Sequence, residues 1–173
     1  MNLYETSTRD EHDADSGAWT RARVISALAT ARAGLLEAIT GLTPREAEKA
    51  MSPGKWNVRE TVLHLVARDR ARLTEMEAVA AGAPASWQAH PPEDFARLNA
   101  EELAPLRTHS WDQALAMLDA TRRELQERLA AVPEEPTALW QPAHPFGWMM
   151  EALYEHDRHH AQWIRRWRAA NGI

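Results

Sequence analysis

The sequence lacks cysteine altogether, which excludes disulfide bonds, thiolate metal ligands and a cysteine nucleophile. Any metal site in this chain must therefore use histidine or carboxylate ligands. Long hydrophobic runs are also absent, because no stretch approaches the roughly 18 consecutive apolar residues typical of a membrane span. Residues 1–17 are polar and acidic and contain no hydrophobic signal region. These absences predict a cytoplasmic protein that is neither inserted into a membrane nor secreted.

An excess of positive charge is missing as well, since 25 acidic residues outnumber 20 Lys and Arg residues and the net charge is −5. Binding to nucleic acid depends on clustered basic side chains that neutralise phosphates. The one basic cluster, Arg165, Arg166 and Arg168, lies near a predicted helix C-terminus, where cations interact favourably with the helix dipole. We therefore expect a small-molecule substrate and neither a nucleic acid nor a membrane as partner.

Four long helices are predicted from the helical periodicity of the apolar residues and from capping residues. Asn57 and Ser110 are each followed three residues later by Glu60 or Gln113, which is the spacing of a capping box. The predicted long helices span about residues 16–40, 57–81, 110–132 and 146–170.

The segments between these helices are shorter and contain more proline. Thr43 and Pro44 predict the start of a short helix, and residues 83–92 form a connection rich in proline and alanine. Residues 93–107 predict a shorter helix interrupted at Pro105. With no competing strand pattern, the fold class is all-α, a four-helix bundle with one long crossover between the second and third long helices. A chain of this length fits one domain, predicted as residues 16–173 after a polar segment 1–15.

His156 and His160 are the most informative residues in the sequence. They lie four positions apart in the last predicted helix, so their side chains are neighbours on one face. The apolar residues Leu153 and Ile164 fall on the same face, which predicts that both imidazoles are buried. Because burying two polar rings is costly without partners, and a divalent metal suits two convergent neutral imidazoles, the pair indicates a metal site.

A catalytic metal site commonly has three protein ligands, so a third residue is required. His64 lies in the middle of the second predicted long helix but off its apolar stripe, and periodicity alone does not select it. His12, His90, His109 and His144 lie in the polar N-terminus or in or beside predicted loops, where a solvated histidine is the ordinary expectation. The spacing of the residues therefore leaves the third ligand open.

Two segments resemble the DinB-like superfamily, namely residues 55–65 (KWNVRETVLHL) and residues 155–162 (EHDRHHAQ). The resemblance implies an up-down-down-up four-helix bundle in which three histidines bind a divalent metal, with zinc or nickel as the main candidates. Matched to the family motif, His64, His156 and His160 are the ligands, whereas His159 is expected at the rim of the pocket. Trp163 stands where the family often has an aliphatic residue, so a bulky indole is expected beside the metal.

The same resemblance implies a metal-dependent enzyme. The ion would activate either a low-molecular-weight thiol cofactor for S-transfer or isomerisation, as in mycothiol-dependent maleylpyruvate isomerase, or a water for hydrolysis. Homodimers are common among similar bundles. The sequence contains no serine nucleophile motif and no glycine-rich phosphate loop, and it identifies no general base.

An alternative interpretation is a non-catalytic metal-binding or stress-associated module, whose ion would need a fourth protein ligand such as His109, His144 or Glu60. For Glu60, the capping box is a sufficient explanation. Trp56 and Trp148 are expected in the core rather than in a pocket. Glu155 and Asp157 flank the histidine pair on other faces and are expected to be solvated or ion-paired.

Overall fold

A computed structural model describes residues 19–173 as an all-helical protein. Within these residues there is no β-strand, only an isolated bridge between Ala50 and Asn57. The predicted all-α class with four long helices is therefore confirmed, whereas the predicted polar segment 1–15 lies outside the described residues. The helices are α1 (Arg21–Ile39), α2 (Pro44–Ala47), α3 (Val58–Ala80), α4 (Phe95–Leu103), α5 (Trp111–Ala131) and α6 (Pro145–Asn171).

Side-chain caps fix the starts of α2, α3 and α5. Thr43, Asn57 and Ser110 each accept a hydrogen bond from the backbone N–H three residues later, and Glu46, Glu60 or Gln113 completes a capping box in return. Each cap satisfies backbone donors that the helix itself cannot pair, which stabilises the helix by about 1 kcal/mol. The predicted starts at Asn57 and Ser110 are confirmed.

The structure corrects the start of the first long helix and places the start of the last within one residue of the prediction. The first, predicted from residue 16, begins at Arg21 because the Thr20 side chain caps it, so Trp19 and Thr20 are not helical. Residues 16–18 lie outside the described part. The last begins at Pro145 rather than Phe146, since proline has no N–H to lose at the first helical position.

The connecting segments contain short 3-10 turns. One turn, Ser86–Ala89, lies in the predicted connection 83–92. The predicted helix 93–107 consists of α4 between the turns Pro92–Asp94 and Ala104–Leu106, the second of which contains Pro105. Another turn, Thr137–Trp140, precedes α6. The break predicted at Pro105 is therefore present, but α4 itself is shorter than predicted.

The core has two apolar clusters, and each long helix contributes to both. Helix α1 packs along α6, α3 packs along α5, and α3 also contacts α6. One cluster includes Leu35 of α1, Val62 of α3, Leu118 of α5 and Ile164 of α6. The other includes Leu28 of α1, Met76 of α3, Leu125 of α5 and Leu153 of α6.

A layer of charged side chains separates these clusters. Arg32 of α1, Asp69 of α3, Arg122 of α5 and Asp157 of α6, here called the charge quartet, are each at most 5% exposed. Arg32 Nε donates to Asp157 at 2.9 Å, Arg122 donates to Asp69 at 2.9 Å, and both arginines also contact the other aspartate. Burial raises the pKa of Asp157 although Arg122 and Arg32 oppose the shift. Asp157 was predicted to be either solvated or ion-paired, and the structure shows that it is buried and ion-paired.

Gly147 in the first turn of α6 is required by a close approach of the backbone. A Cβ atom there would lie 2.1 Å from the carbonyl oxygen of Gln141 and 2.6 Å from that of Trp140. We expect Gly147→Ala to lower the free energy of unfolding by at least the roughly 1–3 kcal/mol that overpacking costs, because backbone atoms cannot move aside easily. Urea unfolding measures the change.

Gly34 in α1 is the matched control, since its Cβ would meet only the end of the Arg165 side chain at 3.6 Å. There, alanine removes the entropic disadvantage of a helical glycine and should stabilise the protein by roughly 0.5–1 kcal/mol. Equal effects of the two substitutions would show that the contact at Gly147 is not tight.

Within residues 19–173, none of the helices is both long enough and apolar enough to cross a lipid bilayer.

Candidate metal centre

The three predicted ligands come from two helices that pack against each other. His64 lies on α3, and His156 and His160 lie one turn apart on α6. His64 is only 2% exposed although it falls off the apolar stripe. The reason is that α3 is surrounded here by α4, α5 and α6, so residues 61–67 are all buried. Apolar periodicity along α3 alone therefore does not reveal that His64 is buried.

The ring nitrogens of the three histidines converge. His64 Nε2 lies 3.1 Å from His156 Nε2, and His160 Nε2 lies 2.9 Å from the same atom. The three rings meet edge to face, with centroids 4.5–5.5 Å apart. The structure thus brings all three sequence-predicted residues to one point.

Neutral imidazoles cannot satisfy one another in this arrangement. An imidazole nitrogen carries either one hydrogen or one lone pair, so His156 Nε2 can form a hydrogen bond with only one of its two neighbours. His64 Nδ1 and His160 Nδ1 are buried and have no hydrogen-bond partner in the described part of the chain. The need for a partner at the centre arises from the Nε2 atoms, because one of the three is left unpaired there and an unpaired buried polar atom is costly.

Burial keeps these rings neutral. It is the main cause of the lowered pKa values of His64 and His156, and neighbouring histidines contribute through charge repulsion. The pKa of His160 falls to about 3, again mainly by burial, with His159 adding to the shift. A neutral imidazole presents the lone pair that a metal ion needs, so the environment favours the ligand form of each ring at neutral pH.

The spacing of the nitrogens fits a divalent ion. All three ligand atoms lie within 4.8 Å of one another. Nitrogens bound at about 2.0–2.1 Å to a tetrahedral zinc ion are about 3.3 Å apart, close to the 2.9 and 3.1 Å observed. Coordination through Nε2 would place the remaining proton of each ring on Nδ1. His64, His156 and His160 could therefore hold a metal ion.

The other candidate ligands serve different purposes. Glu60 completes the α3 capping box, and His144 caps α6 by accepting from the backbone N–H of Phe146 at 3.1 Å. His109 Nδ1 lies 2.9 Å from the carbonyl oxygen of Leu106. Among the described residues, no fourth metal-binding side chain joins the three histidines. His90 is exposed, and His12 lies outside the described part.

A cavity of about 240 Å³ borders His160. Trp163 and Asn99 line it, as does Trp56, whose ring packs 4.7 Å from the ring of His64. Trp56 packs against the apolar cluster that includes Leu35, as expected, and the half-buried indole also lines the cavity. The bulky side chain expected beside the site is present in Trp163. His159 is half-buried and packs 5.0 Å from the Trp163 ring.

The charge quartet is the main feature that the sequence reasoning missed. The pattern that reveals it is present on every long helix, where a charged residue replaces an apolar one in the helical repeat. Arg32, for example, follows Leu28 by four positions and precedes Leu35 by three. Arg122 occupies the same place between Leu118 and Leu125.

Comparison with known proteins identifies the fold. Sibling lethal factor precursor DfsB aligns with a TM-score of 0.73 and 13% identity over 88% of this chain and 96% of its own. An uncharacterised protein from Escherichia coli UTI89 aligns with a TM-score of 0.68 and 15% identity over 91% of this chain and 98% of its own. YfiT from Bacillus subtilis is described as a probable metal-dependent hydrolase with an unusual four-helix bundle topology. It aligns with a TM-score of 0.62 and 15% identity over 98% of this chain and 95% of its own.

At such low identity these structural neighbours establish the fold alone. Among curated proteins, none matches the chain significantly. The model of the DinB superfamily, in contrast, matches residues 27–164, which include His64, His156 and His160. This match extends over most of the sequence, and the chain therefore belongs to the DinB superfamily.

Proposed function

We propose that this protein is a metal-dependent enzyme whose divalent ion is held by His64, His156 and His160. The observation that carries the proposal is the convergence of three histidine Nε2 atoms, from two buried rings and the half-buried His156, at the edge of a cavity, without a fourth protein ligand among the described residues. Catalytic ions commonly keep a coordination position for water or substrate, whereas structural ions are enclosed by four protein ligands. We also propose that the domain spans residues 16–173.

The ion, when bound, would lower the pKa of a coordinated water or thiol and attract anionic groups. The chain's own residues hold and shield the site. His64 and His160 supply neutral rings that burial fixes in place, and the Trp56 ring covers one side of His64. Trp163 borders His160 and limits the volume that a substrate can occupy.

Two observations bear on the reaction type. No carboxylate belongs to the described residues that line the cavity, so no acidic side chain there can serve as the general base for hydrolysis. This favours a thiol nucleophile, which ionises more easily than water. The thiol would come from a low-molecular-weight cofactor, because the chain has no cysteine. Water remains the second candidate, since the structural neighbour YfiT is described as a probable metal-dependent hydrolase.

We further propose that the helices run up-down-down-up, with the connection between α3 and α5 as the long crossover. The support is the order in which each helix passes through the core. Helix α1 passes from Leu28 in one cluster to Leu35 in the other, and α6 passes in the same sense. Helices α3 and α5 pass in the opposite sense. This arrangement would explain why His64, near the start of α3, meets residues near the middle of α6.

An activity screen tests the proposed function. Zinc-loaded and nickel-loaded protein are assayed against pairs of a low-molecular-weight thiol and an electrophile, beside a panel of simple esters and amides. We expect metal-dependent turnover of a thiol pair that His156→Ala abolishes and that the control His90→Ala, at an exposed position, leaves unchanged. Stoichiometric metal binding without turnover of any substrate class would favour the non-catalytic module instead.

A further inference from the structure

Resting on the proposed function, we propose that the cavity beside His160 binds a small planar aromatic carboxylate. In this proposal, the indoles of Trp56 and Trp163 contact the ring of the ligand. The ammonium group of Lys55 pairs with its carboxylate. All three side chains line the same cavity.

The volume of the cavity limits the ligand to a small molecule. Pockets for drug-sized ligands occupy roughly 300–1,000 Å³. The cavity here has about 240 Å³, which is below that range. A single ring with one substituent fits this limit, whereas a large cofactor could place only its reactive end beside His160.

The aromatic walls favour a flat ligand. Trp56 and Trp163 are both half-buried, and histidines already pack against each of them. The Trp56 ring lies 4.7 Å from His64, and the Trp163 ring lies 5.0 Å from His159. These contacts restrain the indoles, so a ligand would meet rigid aromatic surfaces at a low cost in side-chain entropy.

The charge of the cavity favours an anion. Lys55 is exposed, and it has no salt-bridge partner among the residues that the structure describes. None of the described residues lining the cavity is acidic. Asn99 and Ser52 add neutral hydrogen-bonding groups at the same cavity. A carboxylate would thus meet one positive charge and no opposing negative charge.

The chain contains only two lysines, Lys49 and Lys55, which provides a matched pair of variants. Both are exposed and lie in the segment between α2 and α3, but only Lys55 lines the cavity. Isothermal titration with benzoate and its neutral analogue benzamide measures binding to the wild type, Lys55→Gln, Lys49→Gln and Trp163→Leu. Each titration is made with zinc-loaded and with EDTA-treated protein.

We expect benzoate to bind more tightly than benzamide. Lys55→Gln should weaken benzoate binding about two- to fivefold, the effect of a partly exposed ion pair, and should leave benzamide unchanged. Trp163→Leu should weaken both ligands about tenfold through the loss of aromatic contact. Lys49→Gln should change neither. Benzoate binding to EDTA-treated wild type should persist and show the same dependence on Lys55.

Equal binding of the two ligands, or an equal effect of Lys49→Gln and Lys55→Gln, would overturn the proposal. Benzoate binding that disappears with EDTA and ignores Lys55 would also overturn it, since the ion alone would then be the anchor. Zinc titration of the same variants distinguishes failure of this ligand proposal from failure of the proposed function. Unaltered zinc binding with no specific benzoate binding rejects the ligand class alone, whereas absent zinc binding rejects the proposed function.

Discussion

Replacing His160 by alanine is expected to remove most of the thermal stabilisation of this protein by zinc. A ligand that binds only the folded state stabilises it by about 4 kcal/mol at a thousandfold excess over its Kd. For a protein of this size, that corresponds to a rise of roughly 8–16 °C in Tm. Loss of one of three ligands should lower zinc affinity at least about 100-fold, which leaves about 1.4 kcal/mol or less of stabilisation, so the rise should fall to at most roughly a third. Differential scanning fluorimetry with zinc or EDTA measures it.

The relevant quantity is the zinc-dependent difference in Tm rather than Tm itself. His160 is buried, so its truncation also leaves a cavity that changes the stability of the metal-free protein. His90→Ala, at an exposed position, serves as the control and should retain the full zinc-dependent rise. An equal rise in the wild type and His160→Ala would show that zinc stabilises the protein from another site.

Asp69→Asn is expected to cost about 3–5 kcal/mol, because it removes one of the two negative charges that compensate Arg32 and Arg122. Asp69 accepts from Arg32 at 3.1 Å and from Arg122 at 2.9 and 3.1 Å, all in a buried setting. The nearly isosteric amide leaves one guanidinium without a counter-charge. Tm should fall by roughly 6–20 °C for a protein of this size.

Asp119→Asn is the matched control, because Asp119 pairs with Arg123 at 2.7 Å on the surface of α5. The free energy of unfolding should change there by less than about 0.5 kcal/mol. A double variant, Asp69→Leu with Arg122→Met, removes both charges and leaves the two hydrogen bonds between Arg32 and Asp157 intact. It should be more stable than Asp69→Asn. Equal costs at Asp69 and Asp119 would contradict the structural importance of the charge quartet.

Much of the fold follows from the sequence because local interactions determine it. Capping boxes at Asn57 and Ser110 fix two helix starts within a few residues, and proline limits where helices can continue. The start of the first helix is the main error. Apolar periodicity continues through Trp19, but the Thr20 hydroxyl accepts a hydrogen bond from the Arg23 backbone N–H, so the helix begins only at Arg21.

The candidate site was predictable to a smaller extent. The spacing of His156 and His160 predicts two neighbouring rings, because it depends on one helix alone. The burial of His64 depends on three other helices that pack around α3, and only the family resemblance pointed to it. The contact of Trp56 with the His64 ring is likewise tertiary, since the indole precedes α3 and folds back onto it.

The charge quartet stabilises the fold and also restrains the two helices that carry the candidate metal ligands. Asp157 directly follows His156 on α6, and Asp69 lies five residues after His64 on α3. The ion pairs that join these aspartates to Arg32 and Arg122 therefore restrain the two helices that carry all three histidines. The convergence of the rings depends on this alignment of α3 with α6.

Anomalous diffraction from crystals of zinc-loaded protein tests the central claim most directly. We predict a single strong peak about 2.0–2.1 Å from the Nε2 atoms of His64, His156 and His160, with a fourth ligand that does not come from the protein. A zinc peak elsewhere, or a His64 ring turned away from the other two, would contradict the account.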